Sequence, residues 1–210
     1  MKYLFFIALW GCVSLCVSAQ QPVGAAESRK MIADVCAAAA EMTSLQCDFV
    51  QVKQLSLLKT DMTSRGKLYY KGGKLLRWEY TSPYTYTFVL NGDRVMLKSS
   101  EKTDVVSVRS SKMFQQIARI MLHSVTGRCL SEESDFRVTM YEAGSEWEAR
   151  LVPQQKELAA LFSEVRLRID PRLRMVTVVE LCEKSGDTTR IEMKNVQKNG
   201  AIEDAVFSVK

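Results

Sequence analysis

The stretch from Gly66 to Gly92 limits the choice of fold more than any other part of the chain. Bulky apolar or aromatic side chains recur at alternate positions, and short turns at Gly72-Gly73 and near Pro83 interrupt the alternation. A period of two places one side of a β-strand against an apolar surface and the other side against water. The stretch therefore predicts three consecutive strands that share one broad apolar face.

The apolar face of these strands is unusually large, and no catalytic constellation accompanies it. It comprises Leu68, Tyr70, Leu76, Trp78, Tyr80, Tyr84, Tyr86, Phe88 and Leu90. Apolar surfaces of this extent are typical of sites that hold small apolar molecules. The sequence therefore favours a protein that holds an apolar ligand, with ordinary core packing as the alternative for each residue.

The first nineteen residues have the pattern of a secretory signal. Lys2 supplies a positive charge, residues 3–17 are apolar, and Val17-Ser18-Ala19 has the small residues of a cleavage site. The apolar run is short for a membrane-spanning helix. We therefore predict that residues 1–19 are removed on export and that residues 20–210 form a single domain.

The small net charge and the scattered basic residues do not favour nucleic acid as a partner. The formal net charge is +5 at pH 7, and no dense run of lysine or arginine occurs.

Four cysteines remain after the predicted cleavage: Cys36, Cys47, Cys129 and Cys182. Export leads to an oxidising compartment, so disulfides are permitted, but four cysteines allow three pairings. The sequence is consistent with a local Cys36–Cys47 disulfide and equally with buried thiols that form no disulfide. Without a C-x-x-C motif, and with His123 as the single histidine, no metal site is expected.

The order of predicted elements is helix, six strands, helix and five strands. The first helix is predicted over residues 28–43 with Ser28 as its cap, and the second over residues 110–124. A short helical turn is predicted over residues 157–162. Sequential strands joined by short turns indicate an antiparallel sheet, and a sheet of this size curls to bury its apolar face.

Several short motifs resemble the outer-membrane lipoprotein carrier family, LolA. They are Phe49-Val50-Gln51, Gly66-Lys67-Leu68-Tyr69-Tyr70, Leu75 to Pro83, Asn91-Gly92, Asn195-Val196 and Asp204-Ala205-Val206-Phe207. The resemblance implies a mainly β fold with some α-helix: an incomplete antiparallel β-barrel of about eleven strands with helices covering the opening.

The resemblance also implies a function. Such a protein would be a periplasmic carrier that shields lipoprotein acyl chains in an apolar cavity and transports them from the inner to the outer membrane. Its partners would be an inner-membrane lipoprotein-releasing transporter and an outer-membrane acceptor, and it would act as a monomer without a cofactor. The alternative is a LolA-like lipid-binding protein that serves another envelope lipid or glycolipid pathway, or that senses lipid.

Two sets of residues follow as site predictions. The cavity would be lined by Phe49, Leu68, Tyr70, Leu76, Trp78, Tyr86 and Phe88. By resemblance, helix 110–124 would cover the opening with one apolar stripe: Met113, Phe114, Ile117, Ile120 and Met121.

One position departs from the family pattern. The family commonly has an Arg-Pro pair just after the second strand, where the arginine is thought to fasten the lid. Here Gly72 and Gly73 stand at those positions, and Lys71 or Lys74 is a candidate replacement. Lysine lacks the planar donor fork of arginine.

An enzyme is not expected. Ser56-Leu57-Leu58-Lys59 matches the S-x-x-K motif of penicillin-binding enzymes, but it falls in a predicted loop and has no S-D-N or K-T-G partner motif. His123 has no carboxylate near it in the sequence that would suit acid–base catalysis.

Overall fold

The computed structural model describes residues 21–58, 60–108, 123, 128–131 and 135–209. The helices in these ranges are α1 (Ala25–Ala40), α2 (Lys156–Leu161) and two short 3-10 helices (Arg128–Leu130 and Asp204–Phe207). The strands are β1 (Ser44–Leu55), β2 (Thr60–Lys71), β3 (Leu75–Ser82), β4 (Tyr86–Asn91), β5 (Arg94–Ser99), β6 (Thr103–Ser107), β7 (Phe136–Ala143), β8 (Glu146–Pro153), β9 (Phe162–Asp170), β10 (Met175–Glu183) and β11 (Thr188–Lys198).

All eleven strands belong to one open antiparallel sheet. The order across it is β6-β5-β4-β3-β2-β1-β11-β10-β9-β8-β7. The sheet is thus two meanders, β1–β6 and β7–β11, which meet where β1 pairs with β11. This arrangement confirms the predicted fold class and strand number, whereas the predicted helix over residues 110–124 lies outside the described residues.

The first helix begins and ends three residues earlier than predicted, and Ser28 does not cap it. The residue before the helix is Gly24, which makes no side-chain cap, and Ser28 lies in the first turn. The reason is a tertiary contact that no sequence pattern shows. The Val23 N–H donates to the Met140 carbonyl at 3.0 Å, and Pro22 pairs with Tyr141, so the chain is held against β7 just before α1 starts.

Side chains from both meanders meet in one hydrophobic core on the inner face of the sheet, defined here as the face that α1 packs against. Met31 and Val35 of α1 are buried in this core, and α1 contacts β7 and β10. Strands at opposite ends of the order contribute to it, for example Val95 of β5 and Met140 of β7. The sheet therefore curves around α1, as the predicted burial of an apolar face requires.

The last residues of the described chain, 199–209, cross the opposite, outer face of the first meander. We call residues 199–209 the C-terminal segment. Its carbonyl oxygens accept hydrogen bonds from side chains on five successive strands: Ser44 to Gly200 at 2.6 Å, Lys71 to Ile202 at 2.8 Å, Arg77 to Val206 at 3.3 Å, Asn91 to Phe207 at 3.0 Å and Arg94 to Val209 at 3.4 Å.

A second, smaller core lies beneath the C-terminal segment. Phe207 is fully buried there, with Ile202 and Val209, against Val89 and Met96 of the sheet. Strands β4 and β5 are therefore covered on both faces, which explains why four consecutive residues of β4, residues 87–90, are all buried.

The outer face of the second meander is charged instead. Glu148 of β8 is almost completely buried, and its carboxylate accepts from Arg150 Nε at 2.6 Å and Arg168 at 3.0 Å. The Arg150 guanidinium also stacks 4.3 Å from the centre of the Tyr141 ring. Hydrogen bonding to Glu148 raises the pKa of Arg150, so this guanidinium stays charged.

Candidate functional site

The seven predicted lining residues lie together on the inner face of β1–β4. Across the ladder, Leu68 is paired with Trp78 and Trp78 with Phe88. Tyr70 is opposite Leu76 in the same way. Six of the seven are buried and Tyr86 is half-buried. The structure therefore brings these residues into one apolar patch, which we call the inner patch; that they line a cavity remains a prediction.

Aromatic rings form the centre of the inner patch. The Phe49 ring lies 4.6 Å from Trp78 and 5.3 Å from Tyr80, centre to centre, and the second pair meets edge to face. Tyr80 lies 6.5 Å from Tyr86. Offset and edge-to-face contacts at these distances are favourable beyond the area they bury. Tyr80 was absent from the seven predicted residues, although its place in the alternation of β3 marks it as a member.

The Phe49 ring reaches this position because the neighbouring strand has glycine beside it. Phe49 is paired with Gly66 across β1 and β2, and a β-bulge lies between Arg65 and Gly66 where β2 meets β3. The ring of Phe49 occupies the space that a side chain at residue 66 would need. Glycine and the bulge together allow the sheet to bend at this point.

Burial favours the neutral forms of three polar groups in and beside the inner patch: Tyr80, Tyr86 and Cys47. The Tyr80 hydroxyl donates to Gln51 Oε1 at 2.9 Å, and burial raises the Tyr80 pKa against smaller opposing effects of Trp78 and Gln51. Burial, and then Asp104, raises the pKa of Tyr86. Burial and Asp48 raise the pKa of the Cys47 thiol to about 12. Among the described residues, the buried Trp78 Nε1 makes no hydrogen bond of ordinary geometry, although Trp78 lies near enough to the Tyr80 hydroxyl to lower its pKa. The patch is therefore mainly apolar, with few polar groups.

The inner face continues beyond these strands into the second meander. Three methionines of the later strands are buried in the same core: Met140, Met175 and Met193. Met193 lies directly opposite Phe49 across the β1–β11 pair. Unbranched thioether side chains adapt to irregular neighbours. The alternation within β7, β10 and β11 was the available signal, but it does not show which strands become neighbours.

A shallow crevice also opens between α1 and the ends of β10 and β11. Val35, Met42, Met175 and Lys198 are among the residues that line it, and none of the seven predicted lining residues does. The stripe predicted to cover the opening, from Met113 to Met121, lies outside the described residues.

The two lysines considered as replacements for the family arginine have different surroundings. Lys71 Nζ donates to the Ile202 carbonyl and lies 2.7 Å from an Asp204 carboxylate oxygen, on the outer face. It therefore fastens the C-terminal segment and points away from the inner patch. Lys74 is exposed in the turn between β2 and β3. Its backbone N–H donates a hydrogen bond to the Gly72 carbonyl, and its carbonyl accepts one from the Gly92 N–H.

The motif that resembles an enzyme lies in a setting unlike that of the enzymes. Ser56 follows β1 at a hairpin turn, and its hydroxyl donates to Asp187 at 3.0 Å. In penicillin-binding enzymes the serine of S-x-x-K needs its lysine one helical turn away. The turn at Ser56 is not a helix, and Lys59 lies outside the described residues.

Nowhere in residues 21–58, 60–108, 123, 128–131 and 135–209 do three or more His, Cys, Asp or Glu side chains gather as metal ligands would. Among the same residues, no helix has the length and apolar character needed to span a membrane.

Comparisons with known proteins match most of the chain. The family model described as outer membrane lipoprotein carrier protein LolA matches residues 40–210. A curated outer-membrane lipoprotein carrier protein from Methylococcus capsulatus is 25% identical over 168 residues, which are 78% of this chain and 76% of that protein.

Solved structures match the chain at low sequence identity. The structure of the Pseudomonas aeruginosa MucA/MucB complex matches with a TM-score of 0.50 and 11% identity, over 87% of this chain and 61% of that one. Lipoprotein LppX of Mycobacterium tuberculosis matches with a TM-score of 0.49 and 8% identity, over 86% of this chain and 99% of that one. The family match spans both meanders and the C-terminal segment, and the chain therefore belongs to the LolA family of outer membrane lipoprotein carrier proteins.

Proposed function

We propose that this protein is an exported periplasmic carrier of lipoproteins, which shields their acyl chains against the inner face of the sheet between the inner and outer membranes. Residues 1–19 serve as the signal peptide in this proposal. An inner-membrane lipoprotein-releasing transporter delivers the cargo, an outer-membrane acceptor receives it, and the carrier acts as a monomer. Family membership and a relative named as an outer-membrane lipoprotein carrier protein support a LolA-like lipid-binding role.

The observation that carries the proposal is the inner patch itself. Apolar side chains from β1 to β4 lie side by side across the strand pairs, and burial raises the pKa of Tyr80 and of the Cys47 thiol, which favours their neutral forms. A surface of this kind suits acyl chains, since each methylene shielded from water contributes about 0.8 kcal/mol.

The energies fit a carrier that must also release its cargo. Shielding roughly twelve methylenes contributes about 10 kcal/mol before the cost of ordering the chain and the protein. The methionines of the inner core can adjust to a chain that enters or leaves, because their side chains are unbranched.

A spectroscopic experiment tests whether acyl chains reach the inner patch. Trp78 and Trp147 are the tryptophans that remain when residues 1–19 are removed. The variant Trp147→Phe therefore leaves Trp78 as the single reporter. A lipopeptide whose acyl chains carry bromine should quench Trp78 fluorescence, whereas the same lipopeptide without bromine should not. Saturable binding without any quenching would contradict the proposed site.

Comparing lipids separates the carrier from its alternatives within one LolA-like fold. Triacylated lipopeptide, diacyl phospholipid and glycolipid should be offered to the same Trp147→Phe variant. Preference for lipopeptide supports lipoprotein transport. Equal or better quenching by glycolipid or phospholipid would instead support the pathway for another envelope lipid, and correct sorting of lipoproteins in cells that lack the protein would do the same.

Two substitutions test the inner patch with a matched control. Tyr86→Asp places a charge at a half-buried edge of the patch that reaches water, so the fold should survive while retention of lipopeptide falls at least tenfold. Leu57→Asp changes an apolar residue that is 92% exposed at the β1–β2 turn, and should leave retention unchanged. Equal retention by both variants would contradict the proposed lining.

A further inference from the structure

Two cysteines on separate elements lie where α1 packs against the 3-10 helix Arg128–Leu130. Cys36 is half-buried beside Val35 in the second half of α1, and Cys129 is buried beside Leu130. Contact between these two elements joins the N-terminal helix to the chain just before β7. Burial raises the pKa of Cys129 to about 12, and the nearby Cys36 adds to this increase. The two cysteines therefore lie on elements that contact each other directly.

The other two cysteines are placed differently. Cys182 lies on the outer face of β10 next to Arg166 and Glu180, so the sheet separates it from the elements on the inner side. Cys182 of β10 is paired with Thr188 of β11, and Thr188 is paired in turn with Gln54 of β1. Gln54 lies seven residues further along β1 than Cys47. Seven residues of strand span roughly 23 Å, whereas disulfide-bonded Cα atoms are within about 7 Å. Cys47 and Cys182 therefore cannot be joined.

We propose that Cys36 and Cys129 form a disulfide under oxidising conditions, and thus that this chain has a covalent link between α1 and the start of the second meander. Its formation in cells rests on the export proposed above. The bond between the two sulfurs forms as both thiols lose their protons and together give up two electrons. An external disulfide, such as oxidised glutathione, accepts these electrons and is released as two thiols.

The more exposed thiol determines the order of steps. Cys36, which is less buried than Cys129, first forms a mixed disulfide with the oxidant. Cys129 then attacks the Cys36 sulfur and displaces the oxidant's second thiol. The completed bridge restricts the unfolded chain between residues 36 and 129 and so raises the melting temperature.

Peptide mapping identifies the bridge directly. The chain without residues 1–19 is incubated with oxidised glutathione, alkylated, digested and examined by mass spectrometry. We expect a peptide containing Cys36 joined to one containing Cys129, lighter by two hydrogens than the reduced pair, while Cys47 and Cys182 are alkylated. A Cys36–Cys47 link, or alkylation of all four cysteines, would overturn the proposal.

Thermal unfolding supplies a second measurement with matched variants. Adding dithiothreitol should lower the melting temperature of the wild-type chain by several degrees. Cys36→Ser and Cys129→Ser should show no such decrease, and Cys182→Ser should behave like the wild type. A decrease that persists in Cys36→Ser would count against the bridge.

Failure of the bridge and failure of the proposed function give different results. A link that forms with oxidised glutathione but is missing from protein isolated from cells would contradict export and leave the geometry intact. A link that forms in protein that does not bind lipopeptide would contradict the carrier role alone.

Discussion

The ring of Phe49 covers Gly66 on the neighbouring strand, so that the two residues together fill one position of the inner face. A Cβ at residue 66 would come within 2.5 Å of the Phe49 ring and closer still to the backbone oxygen of Glu79. Backbone cannot move aside as the end of a flexible side chain can. This pair therefore fixes both the place of the central aromatic ring and the identity of its neighbour.

Gly66→Ala should consequently destabilise the protein by about 2–4 kcal/mol, since the added methyl group overlaps both a buried ring and main chain. Urea denaturation of the chain without residues 1–19 measures the change. Gly24→Ala is the control because, apart from its two neighbours in the chain, no described residue has a heavy atom within 4 Å of the added Cβ. Equal stability of the two variants would show that the ring and backbone adjust more easily than their packing indicates.

The C-terminal segment should contribute to stability through its buried aromatic side chain. Phe207 is fully buried against the outer face, and its carbonyl accepts from Asn91 at 3.0 Å. Phe207→Ala should cost about 3–5 kcal/mol, because it leaves a cavity in the second core. Ser208→Ala, at the exposed next residue, should change the free energy of unfolding by less than about 0.5 kcal/mol. A small effect at Phe207 would mean that the segment is only loosely attached.

The buried carboxylate of Glu148 should matter more than an exposed carboxylate in a similar ion pair. Its side chain is 5% exposed and bonds both Arg150 and Arg168, so Glu148→Ala removes an acceptor that two guanidinium groups share. Because both guanidinium groups reach solvent, we expect a loss of about 1–3 kcal/mol in urea denaturation. Asp104→Ala removes the partner of Lys102 at the surface and should cost at most about 1 kcal/mol. Similar losses in both variants would contradict this difference.

Acid should weaken the contact between the β1–β2 and β10–β11 turns. Hydrogen bonds from the Ser56 backbone N–H and hydroxyl, each 3.0 Å long, lower the pKa of Asp187 below its ordinary value. A carboxyl whose pKa is lower in the folded state stabilises that state above its unfolded pKa of about 4, and the contribution is lost as pH falls through the lower folded value.

The variant Asp187→Asn tests this pH dependence. Between pH 5 and about pH 3, the urea concentration at the unfolding midpoint should fall further for the wild type than for Asp187→Asn. The variant has no carboxyl at residue 187 to protonate. Parallel curves for the two proteins would show that the contact adds no pH-dependent stability.

Local alternation predicted most of the inner face of β1–β4, but Tyr84, assigned to the same face, is exposed and precedes β4. Leu68, Trp78 and Phe88 each belong to a series of apolar residues at alternate positions of their strand. The short hairpin turns between these strands allow few pairing registers. The same reasoning predicted an antiparallel sheet of about eleven strands. The alternation of β3 also marks Tyr80, which was nevertheless left out of the predicted site.

Long-range contacts were not predictable in this way. The pairing of Phe49 with Met193, and the binding of Lys71 to the C-terminal segment, join residues that are far apart in the chain. Periodicity shows which residues are apolar but not which distant segment covers them. One signal was present: Phe88, Val89 and Leu90 are apolar on both faces of β4, which indicates a second covering layer.

The pairing of β1 with β11 has a consequence for folding. These two strands are the first and the last in the sequence, yet they are neighbours at the centre of the sheet. A ribosome releases β1 long before β11, so the first meander must wait with one long edge unpaired. Pairing of β1 with β11 at the centre of the sheet is therefore a late step in folding. A chaperone that covers the unpaired edge of β1 would protect the nascent chain from aggregation.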